Sequence, residues 1–473
     1  MAQRHEILAG TRWTATAEEQ AVTNPYDGST VGVTYLAGPT ELETAAAAAA
    51  ASFEALKAMA SYERAEAIGR VADSIGHMAE ELAATICAEA GKPIKDARGE
   101  VKRAQNTFRI ASEEAKRLGG EVLPLDIMPG SEGRFALVRR FPVGVVLGIT
   151  PFNFPLNLVA HKAAPAMACG CPIIIKPAPK TPITALMLAR IISDAGWPAG
   201  ALSVVPCSNE NAQRLFLDER VKMLSFTGSA KVGWMLKSMA GRRKVTLELG
   251  GNAGAIVHDD ADVEAAAKRC ALGAFSYAGQ ICISVQRVYI HRSVLERFKE
   301  AFLACRAGLI CGDPSDPATD IGPMIDEAAA IRTEGWVEEA VEQGAVVLAG
   351  GGRRASFFEP TVLAGTSPSM KVCGEEVFAP LVNIEPYDTF EEAVGLVNAG
   401  LYGLQAGVFT RDMGRILHAY ERLDVGGVVV GDIPTYRTDN MPYGGVKMSG
   451  AGREGIRYAI EEMTEMKLLA VKA

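Results

Sequence analysis

The chain has 473 residues, 48% hydrophobic and 22% charged, with a formal net charge of -8. At roughly 150 residues per domain, this length predicts two or three domains and argues against a single core. The mild acidity and the lack of a basic tail argue against a nucleic-acid partner.

Residues 41–118 have a helical pattern. Residues 45–51 are an alanine run of high helix propensity. Residues 62–89 carry apolar side chains at helical spacing and stop at Gly91-Lys92-Pro93, and a further helix is expected over 96–118. From Phe141 the pattern changes. Short continuous apolar segments at 144–149, 172–176, 201–205, 222–226 and 244–248 read as buried strands. Helical stretches at 156–168, 181–194, 209–217 and 231–239 separate them. This alternation predicts a parallel, doubly wound sheet with ligands at the carboxyl ends of its strands. A second alternating set follows: a helix at 263–275, a strand at 286–291, a helix at 295–307, then elements at 338–343, 345–348, 390–398 and 428–430. These predict a second α/β domain. The apolar tail at 465–472 is strand-like. Alone it would be an open edge, so it is expected to pair with another sheet, one in a partner subunit included. No internal repeat is visible.

MAQRHEILAG at the start has no long apolar core, and no apolar run is long enough to span a bilayer, so a cytoplasmic protein is expected, away from membranes. Nine cysteines follow no compact disulfide framework, and Cys169-Gly170-Cys171 has no second pair or histidine cluster beside it. Reduced cysteines and no metal site are therefore expected. One cysteine stands apart. Cys282 lies in Phe275-Ser-Tyr-Ala-Gly-Gln-Ile-Cys-Ile-Ser284, after a Gly-Gln turn, and Glu248 lies upstream in Leu247-Glu-Leu-Gly-Gly-Asn252. A thiol nucleophile and a carboxylate that later activates water make a covalent catalyst with its own base. Asn153, in Pro151-Phe-Asn-Phe-Pro155 after the first strand, is suited to donate to a developing oxyanion. Ser225-Phe-Thr-Gly-Ser-Ala-Lys-Val-Gly233 is a strand-loop-helix whose glycine and helix start suit a phosphate, although no G-x-G-x-x-G occurs. Lys176, ending the strand before Pro177-Ala-Pro-Lys-Thr-Pro182, suits ribose or phosphate. A carboxylate of Glu375-Glu-Val-Phe-Ala-Pro380 suits a ribose.

Taken in order, PFNFP, IIIKPAPKTP, FTGSAKVG, LELGGN, GQICIS, EEVFAP and MPYGGVKMSGAGREG resemble the NAD(P)-dependent aldehyde dehydrogenase superfamily over nearly the whole chain. The resemblance implies two doubly wound α/β domains plus a small oligomerisation β-element. Residues 1–120 and 142–247 would form the dinucleotide-binding domain, 248–435 the catalytic domain, and 121–141 with 450–473 the oligomerisation element. It implies Cys282 as nucleophile, Asn153 and the Cys282 backbone N–H as oxyanion donors, and Glu248 as the base that hydrolyses the thioester. It implies cofactor contacts from Thr150, Pro151, Phe152, Lys176, Pro179, Lys180, Thr227, Gly228, Ser229, Val232, Leu249, Gly250, Glu376 and Phe378. A homodimer or homotetramer acting on a small aldehyde is expected.

The chain departs from the family pattern in two telling places. Many NAD-preferring members carry a glutamate where Pro179 stands, followed here by Lys180; without that carboxylate a 2′-phosphate meets no repulsion, so NAD or NADP is expected. The subgroup resembled is that of lactaldehyde, non-phosphorylating glyceraldehyde-phosphate and phosphonate-aldehyde dehydrogenases. Arg103 matches its anion-contacting helix arginine, whereas Ile281 replaces the arginine often found before the cysteine. Arg437 is a candidate second cation, and Phe154, Ile281 and Ile283, with Phe152, make the mouth partly apolar. A short polar or anionic aldehyde is the expected substrate. A phosphonate- or phosphate-bearing aldehyde and a succinate-semialdehyde-type reaction are the alternatives. A CoA-acylating reaction fits less well, because that branch typically lacks the base.

Overall fold

The computed structural model describes residues 3–472. Continuous apolar strands require cover on both faces, and the first sheet has it. Its inner strands Val145–Ile149, Ile173–Lys176, Leu202–Val204, Val221–Thr227 and Lys244–Glu248 are the five expected from sequence, and all run parallel. Numbered along the chain, they lie in space as 5-4-1-2-3. The direction of winding therefore reverses between Val145–Ile149 and Val221–Thr227, and a crevice opens at their carboxyl ends. Helix Asn157–Cys169 is buried along its whole length. Short antiparallel strands close both edges: Ile7–Ala9 and Arg12–Thr14 on one, Gly450–Ala451 on the other. The amino-terminal strands were not expected, since two or three residues cannot display a period.

The second sheet is ordered Val346–Ala349, Thr361–Ala364, Leu381–Tyr387, Val285–His291, Ala253–Val257, Gln405–Phe409, Gly427–Val430. Its pairs are parallel except the first, at the edge. Four of its inner strands, Thr361–Ala364, Leu381–Tyr387, Ala253–Val257 and Gln405–Phe409, lie outside the expected elements; Ala253–Val257 opens with Ala-Gly-Ala, which has low strand propensity.

The expected helix over 62–89 is instead two, Ser61–His77 and Ala79–Ala90, with a break at Met78 (φ -96°, ψ 16°). Each half buries its own apolar face, Ile68, Val71 and Ile75 in one, Leu82, Ala83 and Ile86 in the other. Periodicity alone does not register a one-residue bend. The tail strand Thr464–Lys472 pairs antiparallel along its nine residues with Arg134–Pro142 of its own chain, and Gly120–Pro124 lies on the far side. Among the described residues no helix is long and apolar enough to cross a membrane.

Candidate active site

The crevice of the first sheet meets the amino ends of the second sheet's strands in a cavity of about 680 Å³. Asn153, Thr227, Gly228, Glu248, Cys282, Glu376, Arg103 and Arg437 all line it. That size suits a small substrate with part of a cofactor.

Cys282 reaches this cavity through an unusual run of backbone. Tyr277, Ala278 and Gly279 all have positive φ, at 48°, 52° and 68°. Two non-glycine residues in the left-handed region cost on the order of 1 kcal/mol or more each. A Cβ on Gly279 would stand 2.0 Å from the Ala379 carbonyl oxygen, so only glycine fits this turn. The fully buried Gln280 then pins the loop: its Oε1 accepts from Ile325 N at 2.9 Å, and its carbonyl accepts from Asn153 Nδ2 at 2.9 Å. Asn153 is thereby held against the cysteine loop, with its Oδ1 unpartnered. The Cys282 N–H donates to no described group. Gly251 packs backbone to backbone on Cys282; a Cβ there would stand 2.1 Å from the Cys282 carbonyl oxygen.

The dry walls push the Cys282 thiol up to about 11, against the pull of a Tyr443 hydrogen bond and the Arg437 cation. Glu248 ends the strand Lys244–Glu248, is buried, and has neither carboxyl oxygen hydrogen-bonded among the described residues. Burial, reinforced by the negative Glu454, raises it well above the ordinary carboxylate range. Burial also tends to raise Glu454, but Lys162 (3.2 Å) and Arg437 (3.0 Å) outweigh it and hold Glu454 at about 2. The two buried carboxyls therefore differ sharply: Glu454 is ionised, and Glu248 is poised to take up or release a proton.

Below the Phe152–Phe154 loop, Glu100 accepts from the N–H groups of Leu156 (2.9 Å) and Asn157 (3.1 Å) at the start of the buried helix, and also receives the Lys92 ammonium. Lys92 stands 3.7 Å from the Phe154 ring centroid and 4.5 Å from that of Tyr277. Arg103 lines the cavity with 30% of its side chain exposed and pairs with Asp439 at 2.8 Å. Asp439 also meets His161 at 3.0 Å; the His161 bond and the Arg103 cation outweigh burial and keep its carboxyl well below the usual range. Arg437 is bound to Glu454 and lies 3.6 Å over the Tyr443 ring. Arg103 and Arg437 thus already have carboxylate partners, whereas Arg332, also in the lining, donates to the Val377 carbonyl at 2.6 Å.

The predicted cofactor residues divide. Pro151, Phe152, Thr227, Gly228, Ser229, Leu249, Gly250, Glu376 and Phe378 line the cavity, as do Phe154, Ile281 and Ile283. Thr150, Lys176, Pro179, Lys180 and Val232 do not. Thr150 and Lys176 nevertheless continue the same carboxyl edge, Thr150 N donating to the Lys176 carbonyl at 3.2 Å, and Lys176 Nζ reaches Asn209 Oδ1 at 3.2 Å. Lys180 is exposed and pairs with Asp326 at 3.4 Å. An elongated dinucleotide fits these positions: the uncapped start of helix Ala230–Met239 beside Gly228 suits a pyrophosphate. Glu376, raised by burial to about 7 and accepting from Gly251 N at 2.9 Å, lines the cavity wall. Sequence pattern alone gives no role to Lys92, Glu100, Lys162, Asp439, Tyr443 or Glu454; Tyr443 and Glu454 lie within the MPYGGVKMSGAGREG stretch, a family marker. His258, Asp259 and His291, whose metal-ligating atoms come within 4.8 Å, sit at the opposite ends of the second sheet's strands.

The model of the aldehyde dehydrogenase family matches residues 13–469. A 3-sulfolactaldehyde dehydrogenase of Priestia aryabhattai is 45% identical over 471 residues, 99% of this chain and 98% of that protein. The crystal structure of aldehyde dehydrogenase 21 from Physcomitrella patens, in complex with the reaction product succinate, superposes with a TM-score of 0.98 at 42% identity, covering 100% of this chain and 99% of that one. Glyceraldehyde-3-phosphate dehydrogenase GapN of Methanocaldococcus jannaschii, complexed with NADP, gives 0.93 at 38% identity, with 97% and 100% covered.

Proposed function

The chain belongs to the aldehyde dehydrogenase family, and from that premise we propose that it oxidises a short polar or anionic aldehyde to its carboxylic acid with NAD or NADP. The observation that carries this is the meeting of Cys282, Asn153 and Glu248 in one cavity that also holds Arg103. Cys282 Sγ attacks the aldehyde carbon and forms a thiohemiacetal. The Asn153 amide and the free Cys282 N–H hold its oxyanion. When bound, the cofactor supplies a hydride acceptor. Loss of the hydride leaves a thioester on Sγ. Glu248, in its deprotonated form, takes a proton from the attacking water, and the acid departs.

An unpartnered carboxyl beside the thiol favours hydrolysis over transfer to CoA. The Arg103 guanidinium at the cavity wall favours a substrate with an anionic tail. The relatives that act on sulfolactaldehyde or carry succinate are in keeping with this. No carboxylate stands at Pro179, and Lys180 is exposed nearby, so NADP is accepted alongside NAD. The three-stranded sheet leaves Val122, Met466, Leu468 and Leu469 between 53% and 69% exposed, which supports assembly of copies into a dimer or tetramer through it. The cytoplasm is the fitting compartment for reduced cysteines and a soluble cofactor.

Incubation of the Cys282→Ala variant with sulfolactaldehyde, lactaldehyde or succinate semialdehyde, and NAD or NADP, tests the mechanism. Formation of reduced cofactor is abolished while cofactor binding persists. Near-full turnover in that variant would refute it.

A further inference from the structure

Tyr443 Oη lies 3.0 Å from Cys282 Sγ. Either atom can donate while the thiol is protonated. Once Sγ is a thiolate it can only accept, and the phenol must be the donor. From this geometry we propose that Tyr443 is a further catalytic residue, whose phenolic hydrogen bond stabilises the Cys282 thiolate before it attacks the aldehyde. This rests on the reading of Cys282 as the nucleophile.

Tyr443 is well suited to the task. It is buried, so its hydroxyl meets little competing water. Its backbone is tied on both sides to Glu454: Tyr443 N donates to the Glu454 carbonyl at 3.0 Å, and Glu454 N donates to the Tyr443 carbonyl at 2.6 Å. The Arg437 guanidinium, fixed by its ion pair to Glu454, lies 3.6 Å over the ring and draws electron density from the phenol, which makes the O–H a better donor. The same burial raises the phenol well above its ordinary value, so Tyr443 keeps its own proton throughout. The thiol proton leaves to solvent through the cavity mouth, and no proton passes along Tyr443. A single charge-assisted hydrogen bond of this kind is the strong class of hydrogen bond. The other titratable or charged groups facing Cys282 are Arg437, which also favours the thiolate, and Glu376 and Glu248, which oppose it.

The test is alkylation of Cys282 by iodoacetamide in the intact enzyme without cofactor, followed by mass spectrometry of its peptide as a function of pH. In Tyr443→Phe, of the same shape without the hydroxyl, the midpoint moves up by about one pH unit, or roughly tenfold slower alkylation at neutral pH. The acid limb of kcat/KM moves with it, while cofactor affinity does not change. Replacing Tyr443 by 3-fluorotyrosine keeps both shape and hydroxyl but strengthens donation, and moves the midpoint down. That second variant keeps the inference falsifiable should Tyr443→Phe fold poorly. Midpoints unmoved in both, with Cys282→Ala inactive, would overturn the role of Tyr443 alone. Turnover retained in Cys282→Ala would instead overturn the reading on which it rests.

Discussion

Replacing Glu100 by Gln perturbs the support beneath the Asn153 loop. The Glu100 and Lys92 side chains are 0% and 1% exposed, and Glu100 also receives two backbone N–H groups that open the buried helix. The amide keeps an oxygen for those N–H groups but removes the counter-charge, leaving a buried ammonium unpaired. Breaking such a pair costs about 3–5 kcal/mol. Discharging an ordinary lysine at pH 7 costs about 5 kcal/mol, which caps the penalty, since Lys92 can lose its proton instead. Burial already lowers Lys92, against the attraction of Glu100. In the variant the folded protein therefore binds fewer protons than the unfolded chain, so the deficit is largest near neutrality and shrinks as pH rises toward about 10. The assay is urea unfolding followed by tryptophan fluorescence, with the midpoints of Glu100→Gln, Lys92→Met and the double variant compared. The double variant recovers about 2 kcal/mol or more over Glu100→Gln, because the uncompensated charge is gone. A double variant no more stable than Glu100→Gln, or a deficit that grows with pH, would refute the reasoning.

In rapid-mixing experiments Glu248→Gln gives one burst of reduced cofactor and then stalls; an unchanged steady-state rate would remove Glu248 as the base. Burial raises Cys282 to about 11 and it attacks as the thiolate, so kcat/KM climbs as pH rises from about 6 to about 9 and falls on acidification; a plateau already reached at about pH 6 would contradict it. Arg103→Gln raises KM for succinate semialdehyde by roughly 10- to 100-fold, the worth of one charged hydrogen bond, and leaves KM for neutral lactaldehyde within a few-fold; equal effects on both would assign Arg103 to structure alone.

The first sheet was legible because short strands rich in apolar residues alternate with helices, as in Ile173–Lys176 before helix Ile183–Asp194. Ala253–Val257 was not, because its opening Ala-Gly-Ala has little strand propensity and only Ile256 and Val257 are large apolar residues. Cys282, Asn153 and Glu248 stood out as lone polar residues in glycine- or proline-marked turns. Tyr443, Glu454 and Lys162 did not, because their chemistry depends on pairing across 11 to 292 residues of chain, and a lysine inside a helix looks like any other until Glu454 is beside it. Arg103 and Arg437 were legible as cations, whereas the carboxylates that partner them, Asp439 and Glu454, were visible only in three dimensions.

The glycine contacts around the nucleophile also say how such an enzyme can change its diet. Where Gly251 meets the Cys282 carbonyl and Gly279 meets that of Ala379, main chain touches main chain, and even a methyl group would force the walls apart. Those joints are closed to mutation by drift or by design. The side chains that line the cavity, Arg103, Phe154 and Ile281 among them, meet no such main-chain joint. Selection for a new aldehyde would be expected to sample those positions and leave the reactive centre alone. A library confined to them is the shortest route to a retargeted catalyst.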